Sequence, residues 1–150
     1  MKILFVCLGN ICRSPCAHGI FLSLDKQKKY HVDSCGTNGF HDGENIDPRM
    51  KKEMIARNTS FSHTSRQITK KDIKDFDLIL CMESKVLSTV RMFSDSVDYH
   101  KILSFRDFDP AGKGDVPDPY YTNTFSEVYD IIKRTSLKLY EHLENKKHSN

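Results

Sequence analysis

Short apolar runs alternate with longer stretches of mixed polarity along this chain. Lys2-Ile3-Leu4-Phe5-Val6 is nearly all apolar and β-prone, the composition of a strand buried on both faces. His31-Val32-Asp33-Ser34, residues 77–82 and Lys101-Ile102-Leu103 predict three further short strands. Amphipathic stretches separate them. The pattern predicts helices over 16–24, from Pro48 to near Asn58, over a short stretch after Thr69, over 84–92, and from Thr124 onward. In the last of these, Phe125, Val128, Ile132, Leu139 and Leu143 fall along one face, as a docked helix requires. This alternation predicts a single-domain α/β fold over residues 1–150. Its core is an open parallel sheet of about four strands with helices on both faces.

Turn and cap residues punctuate the pattern. Residues 36–47 carry Gly36, Gly39 and Gly43 and predict a loop. Asp47-Pro48 supplies an N-cap and a first helical residue, and Thr69-Lys70-Lys71-Asp72 has the form of a capping box. Residues 104–122 hold Pro110, Pro117, Pro119, Gly112 and Gly114 and predict a long irregular loop, a class that is often functional. Residues 146–150 are expected to fray.

Composition narrows the function classes. A net charge of +3 is too small to argue for a nucleic-acid surface, though it mildly favours anionic substrates. No stretch approaches the ~20 apolar residues of a membrane span, and the first apolar run is too short for a signal peptide. Five cysteines without regular spacing fit a reducing cytoplasm better than a disulfide scaffold. Cys35 and Cys81 read as packed thiols, and Cys16 falls one turn after Cys12.

The chemistry concentrates in Val6-Cys7-Leu8-Gly9-Asn10-Ile11-Cys12-Arg13-Ser14-Pro15. Gly9 and Asn10 are the residue types that most readily take left-handed angles, so the chain can turn after Cys7. Ser14-Pro15 reads as an N-cap and first helical residue. A strand, a tight loop of residues 8–13 and a helix N-terminus together aim backbone N–H groups at one anion. Only a thiolate is a good nucleophile, and a free cysteine with pKa ~8.5 is mostly thiol at neutral pH. A helix N-terminus and an arginine both favour the thiolate. Cys7 is the candidate nucleophile, Arg13 a planar clamp for two phosphate oxygens, and Ser14 a donor to the sulfur. No cofactor is needed for this chemistry.

Expulsion of a phenol, pKa ~10, also needs a proton donor. Composition alone leaves Asp107, Asp109, Asp115 and Asp118 as rivals for that role. Tyr120 and Tyr121 either wall the cleft or pack beside the loop, and His63 reads as an ordinary loop histidine. Two readings compete. Cys7, Cys12, Cys16 and His18 could hold zinc, and the loop could bind phosphate without turning it over.

These residues resemble the low molecular weight protein tyrosine phosphatases, whose signature is V-C-x-G-N-I-C-R-S-P. The resemblance continues through Val32-Asp33-Ser34, Ser62-His63-x-x-Arg66-Gln67-Ile68-Thr69-Lys70-x-Asp72, Phe76-Asp77-x-Ile79-Leu80-Cys81-Met82 and Val116-Pro117-Asp118-Pro119-Tyr120-Tyr121. It implies a metal-independent phosphatase acting on phosphotyrosine in proteins. Leu8, Gly9, Asn10, Ile11, Cys12 and Arg13 would bind the phosphate and Asp118 would be the general acid. Asn10 and Ser14 would support the loop, with His63 bonded to Asn10, and Cys12 would be the redox partner of Cys7. Leu8, Ile11, Tyr120 and Tyr121 would wall the substrate ring. Relatives acting on phosphoarginine tend to carry threonine at the position of Ile11. An arsenate reductase on the same fold would need further cysteines after the third strand, and none follows Cys81. Two departures stand out. Pro48 lies where many animal members carry an aromatic wall residue, a place that Phe40 or His41 could take over. Glu83 replaces the usual aspartate.

Overall fold

The structure, a computed structural model, describes the backbone of residues 1–148 and the side chains of residues 1–146. Four parallel strands form one sheet: β1 (Lys2–Cys7), β2 (His31–Gly36), β3 (Leu78–Cys81) and β4 (Ile102–Ser104), in the order β2-β1-β3-β4. The helices are α1 (Arg13–Leu24), α2 (Pro48–Ala56), α3 (Lys70–Asp75), α4 (Ser84–Met92), α5 (Pro119–Thr122) and α6 (Phe125–His148). The single α/β sheet predicted from the pattern is the one observed. The expected frayed tail is helical through His148, and residues 149–150 lie outside the described residues.

β1 shows why an unbroken apolar run was needed. Its side chains alternate between two cores. Ile3, Phe5 and Cys7 join α1 and α6 in one cluster, whereas Leu4 and Val6 join α3 and α4 in the other. Phe5 lies between Phe21 and Phe105, at ring-centroid distances of 5.9 and 5.8 Å. Burying such a ring contributes about 2–3 kcal/mol. The stripe on α6 is buried as its spacing predicted, with Tyr129 added to it. No described helix is long and apolar enough to cross a membrane.

The caps of α2 and α3 form as read. Asp47 accepts from the Arg49 N–H with Pro48 following, and Thr69 and Asp72 bond reciprocally. The long loop is less irregular than expected. A 3-10 turn, Phe105–Phe108, and α5 interrupt it. Asp109 anchors this loop. Its carboxylate is fully buried between Arg106 and Arg134, at 2.9 Å from each, and also accepts from the Ala111 N–H. Burial alone would raise its pKa, but Arg134, the Ala111 N–H and Arg106 outweigh burial and hold it at about 2. A carboxyl held below its unfolded value stabilises the fold above roughly pH 4, and that support is lost as pH falls towards 2. Asp109→Asn is therefore expected to destabilise by about 2 kcal/mol at pH 7 and by much less near pH 2. Denaturant midpoints at the two pH values check this, and an equal loss at both would assign the effect to packing.

Candidate active site

The phosphate-loop reading stands or falls on where the backbone of residues 8–13 points. The carbonyls of Cys7, Leu8 and Ile11 accept from the N–H groups of Thr37, Asn38 and Asp47, at 3.0, 3.0 and 2.8 Å. In a trans peptide the next N–H points opposite to its carbonyl. The N–H groups of Leu8, Gly9 and Cys12 are thus turned away from those outer partners, towards the concave side.

Asn10 takes the left-handed backbone, with φ +57°. Of the two residues read as able to take it, Gly9 does not. A Cβ there would stand 2.9 Å from His41 Cδ2, so the His41 ring would have to shift. Gly36, at the end of β2, is needed more strictly. A Cβ there would meet the Leu8 carbonyl at 2.7 Å. The loop can sit on the end of the sheet only because its neighbour has no side chain.

The strain at Asn10 is held by its own amide. Asn10 Oδ1 accepts from His63 Nε2 at 2.8 Å and from the Arg66 N–H at 3.2 Å, and its Nδ2 donates to Ser14 Oγ at 2.8 Å. Ser14 Oγ lies 3.0 Å from Cys7 Sγ, and the Asn10 N–H donates to the same sulfur at 3.2 Å. Ser14 is therefore not the N-cap that its place before proline suggested. α1 begins two residues earlier, at Arg13, with Cys12 in the cap position and no side-chain cap. The hydroxyl is directed to the sulfur instead.

The network extends further than the sequence indicated. Ser34 Oγ lies 3.3 Å from His63 Nε2 and 2.9 Å from His18 Nδ1. Burial, then His63, pushes the His18 pKa down to about 4, so this ring is neutral at pH 7. Burial also lowers the pKa of His63. A hydroxyl–imidazole chain runs from His18 through Ser34, His63, Asn10 and Ser14 to Cys7. A serine on a short strand and a histidine one turn into a helix carried no signal that would have found this chain.

Arg13 is 2% exposed despite its charge. Its Nη1 donates to the Val116 carbonyl at 3.0 Å and pairs with Glu83 at 3.1 Å, and its Nη2 lies 3.4 Å from Asp118 Oδ2. Glu83, read from sequence as a departure of unsettled consequence, therefore reaches the arginine. Arg13 Nε is buried with no hydrogen-bond partner among the described residues. Asp118 sits at the N-cap of α5, where its Oδ1 accepts from the Tyr120 N–H at 3.0 Å. The rivals are occupied elsewhere or do not line the cleft. Asp109 binds two arginines, and Asp115 accepts from Ser84.

A cleft of about 310 Å³ joins these parts. Its lining includes Cys7, Leu8, Gly9, Ile11, Cys12, Arg13 and Asp118, together with Phe40, His41, Tyr120 and Tyr121. Leu8 is half exposed, but Ile11 is only 8% exposed. Ile11 thus lines the cleft while most of it is buried in the core. Phe40 and His41 line the cleft, as the alternative to Pro48 proposed. Cys12 also faces it, whereas Cys16 is fully buried.

The four supposed zinc ligands do not converge. Among the described residues, the one group of such side chains with ligand atoms within 4.8 Å is His18, Asp33 and His63. Its members already have partners in Ser34, Arg66 and Asn10.

Comparison with known proteins agrees with the geometry. The sequence model of the family described as "Low molecular weight phosphotyrosine protein phosphatase" matches residues 2–149. The low molecular weight protein-tyrosine-phosphatase YfkJ of Bacillus subtilis is 35% identical, over 98% of both chains. The human low molecular weight phosphotyrosine protein phosphatase is 39% identical, over 89% of both. A crystal structure of a protein tyrosine phosphatase from Entamoeba histolytica, with Hepes in its active site, superposes with a TM-score of 0.92 at 36% identity. That match covers 98% of this chain and 99% of the other. A thiol under a ring of backbone N–H groups, a buried arginine and a facing aspartate, in a chain matched from end to end, leave one assignment: this protein belongs to the low molecular weight phosphotyrosine protein phosphatases.

Proposed function

We propose that the chain hydrolyses phosphotyrosine in proteins, and small aryl phosphates, through a phosphocysteine. Cys7 Sγ attacks phosphorus as the bond to the phenolic oxygen breaks, and Asp118 gives that oxygen its proton. The N–H groups of the loop and Arg13 hold the charge on the equatorial oxygens. Water then attacks phosphorus, Asp118 takes its proton, and the sulfur leaves with the Ser14 hydroxyl donating to it. The observation that carries this reading is the convergence on one cleft of Cys7, whose sulfur accepts from the Asn10 N–H and lies 3.0 Å from Ser14 Oγ, and Arg13, whose buried Nε has no partner among the described residues. Buried polar atoms are normally satisfied, so an unpartnered donor on an arginine that lines the cleft fits a site for an acceptor.

The wall residues favour the aryl ester. Leu8, Phe40, His41, Tyr120 and Tyr121 line the walls above the sulfur. Rings on the wall suit a flat aromatic substrate better than a short phosphoserine. Inorganic phosphate and other oxyanions should compete for the same loop. Cys12, which shares the cleft with Cys7, fits the part of redox partner, and Cys16, packed away from it, does not. All five cysteines are unpaired thiols and all are buried, which supports a reducing compartment such as the cytoplasm. Every role here is filled by a side chain or a backbone group, so no metal is required.

The test is hydrolysis of a phosphotyrosine peptide, the matching phosphoserine peptide and p-nitrophenyl phosphate near pH 5–6, with chelator present. Turnover of the first and third, with phosphoserine slower by at least about tenfold, is expected. No turnover by a folded, reduced protein would shift the assignment to a silent phosphate binder, and preference for phosphoserine would overturn the aryl specificity.

A further inference from the structure

The phosphate loop and the acid loop come from opposite ends of the sequence, and the Asp118 carboxyl must be placed to within a fraction of an ångström. Arg13 donates to the Val116 carbonyl, two residues before Asp118, at 3.0 Å, and its one direct link to the acid itself is the 3.4 Å contact with Asp118. Bound phosphate would compete for that contact, so it is a poor candidate for the permanent brace. A second link lies outside the cleft. The Asp47 N–H donates to the Ile11 carbonyl of the phosphate loop at 2.8 Å. Its carboxylate accepts from Arg49 Nε at 3.2 Å, Arg49 Nη2 at 3.0 Å and the Arg49 N–H at 2.9 Å. Arg49 Nη1 then donates to the Tyr120 carbonyl at 3.1 Å. The Tyr120 N–H is the group that holds Asp118. The guanidinium also lies over the rings of Tyr120 and Phe125, at 5.2 and 4.6 Å.

We propose that Arg49 is a positioning residue for the general acid: the Asp47–Arg49 pair is a strut that sets the distance between the phosphate loop and Asp118. It touches no substrate. Its chemistry suits the task. Only a planar fork can hold a carboxylate on two nitrogens, offer a third donor to a carbonyl and stack on two rings. The two ends of the strut are firm. Asp47 caps α2, and Phe125, which the guanidinium covers, is buried at the start of α6. The neighbouring turn α5 is only four residues long and could not hold its own place.

The inference rests on Asp118 being the acid, and the experiment separates the two claims. Arg49→Gln, Arg49→Lys, Asp118→Asn and the double variant Arg49→Gln/Asp118→Asn are assayed on aryl phosphates of graded leaving-group pKa. Inhibition by inorganic phosphate and thermal midpoints are recorded alongside. In Arg49→Gln, kcat/KM for phenyl phosphate is expected to fall about tenfold, a part of the roughly 10²–10⁴ that a general acid supplies. Dinitrophenyl phosphate, whose leaving group needs no proton, should change by less than about twofold. Phosphate inhibition should be unchanged. Added to Asp118→Asn, the same change should cost nothing further, because its effect passes through a carboxyl already removed. Arg49→Lys keeps the charge but cannot span both partners, and should fall between the two; it carries the test if Arg49→Gln does not fold. A loss equal for all leaving groups, or one that persists in the Asp118→Asn background, would overturn the strut. A flat leaving-group dependence in Asp118→Asn alone would instead overturn the assignment of the acid.

Discussion

Replacing Cys7 by serine is expected to abolish turnover, by roughly 10⁵-fold or more, while phosphate still binds. The size follows from the chemistry. A covalent route through sulfur has no neighbouring substitute, since the other cysteine facing the cleft, Cys12, has its thiol pKa pushed up far beyond neutral by burial and by Asp47. Loss of a covalent nucleophile removes nearly all chemistry and leaves binding behind. The serine hydroxyl is close in size to the thiol, so the ring of N–H groups and Arg13 should keep their places. Inorganic phosphate titrated into the variant should retain an affinity within about tenfold of the parent, a difference of about 1.4 kcal/mol. Substantial residual turnover would exclude Cys7 as the nucleophile. Loss of both turnover and phosphate binding would mean that the sulfur, held by Asn10 and Ser14, organises the loop itself.

Asp118→Ala should have the second-largest effect, and its signature is selectivity rather than size. Proton donation by a placed carboxyl is worth roughly 10²–10⁴. A phenol with pKa ~10 needs all of that help, and an acidic nitrophenol needs little. Phenyl phosphate and phosphotyrosine should therefore lose about 10²–10³-fold, with a much smaller loss for dinitrophenyl phosphate. The side chain of Asp118 is 35% exposed, so the alanine variant is not expected to disturb the core. A uniform loss across leaving groups would count against the acid role, because removal of a partner of Arg13 would then be the simpler cause. Asp109→Asn is the natural control on the same loop. It should lower stability without altering the leaving-group slope, since its partners are Arg106 and Arg134.

Much of the fold was legible because its signals are local. The alternation of β1 between two cores, the caps at Asp47 and Thr69, and the stripe on α6 each depend on residues a few positions apart. Local signals misled where one residue had two possible partners. Ser14 before Pro15 is a good N-cap by sequence, but its hydroxyl is worth more against the sulfur, so the helix starts at Arg13 without one. Gly9 is of a type that readily takes left-handed angles, yet it does not take them, and a Cβ there would crowd His41, over thirty positions away. Ile11, read as part of the substrate wall, lines the cleft but is mostly buried in the core. At Ser14 a contact with the sulfur replaced a capping propensity of about 1 kcal/mol.

The sequence by itself determined the parts: an α/β chain, a thiol and an arginine with five residues between them, and an aspartate followed by proline and two tyrosines. A nucleophile and an anion cradle can be written in ten consecutive residues, because a strand, a turn and a helix N-terminus are built from near neighbours. Only the tertiary structure decided how the parts meet. The Arg13–Glu83 pair, the Ser34 bridge between His18 and His63, and the reach of Arg49 to Tyr120 join positions 16 to 71 residues apart. No spacing rule encodes such contacts. They exist because parallel strands bring their carboxyl ends to one edge of the sheet, and there the loops must satisfy one another's buried charges and carbonyls.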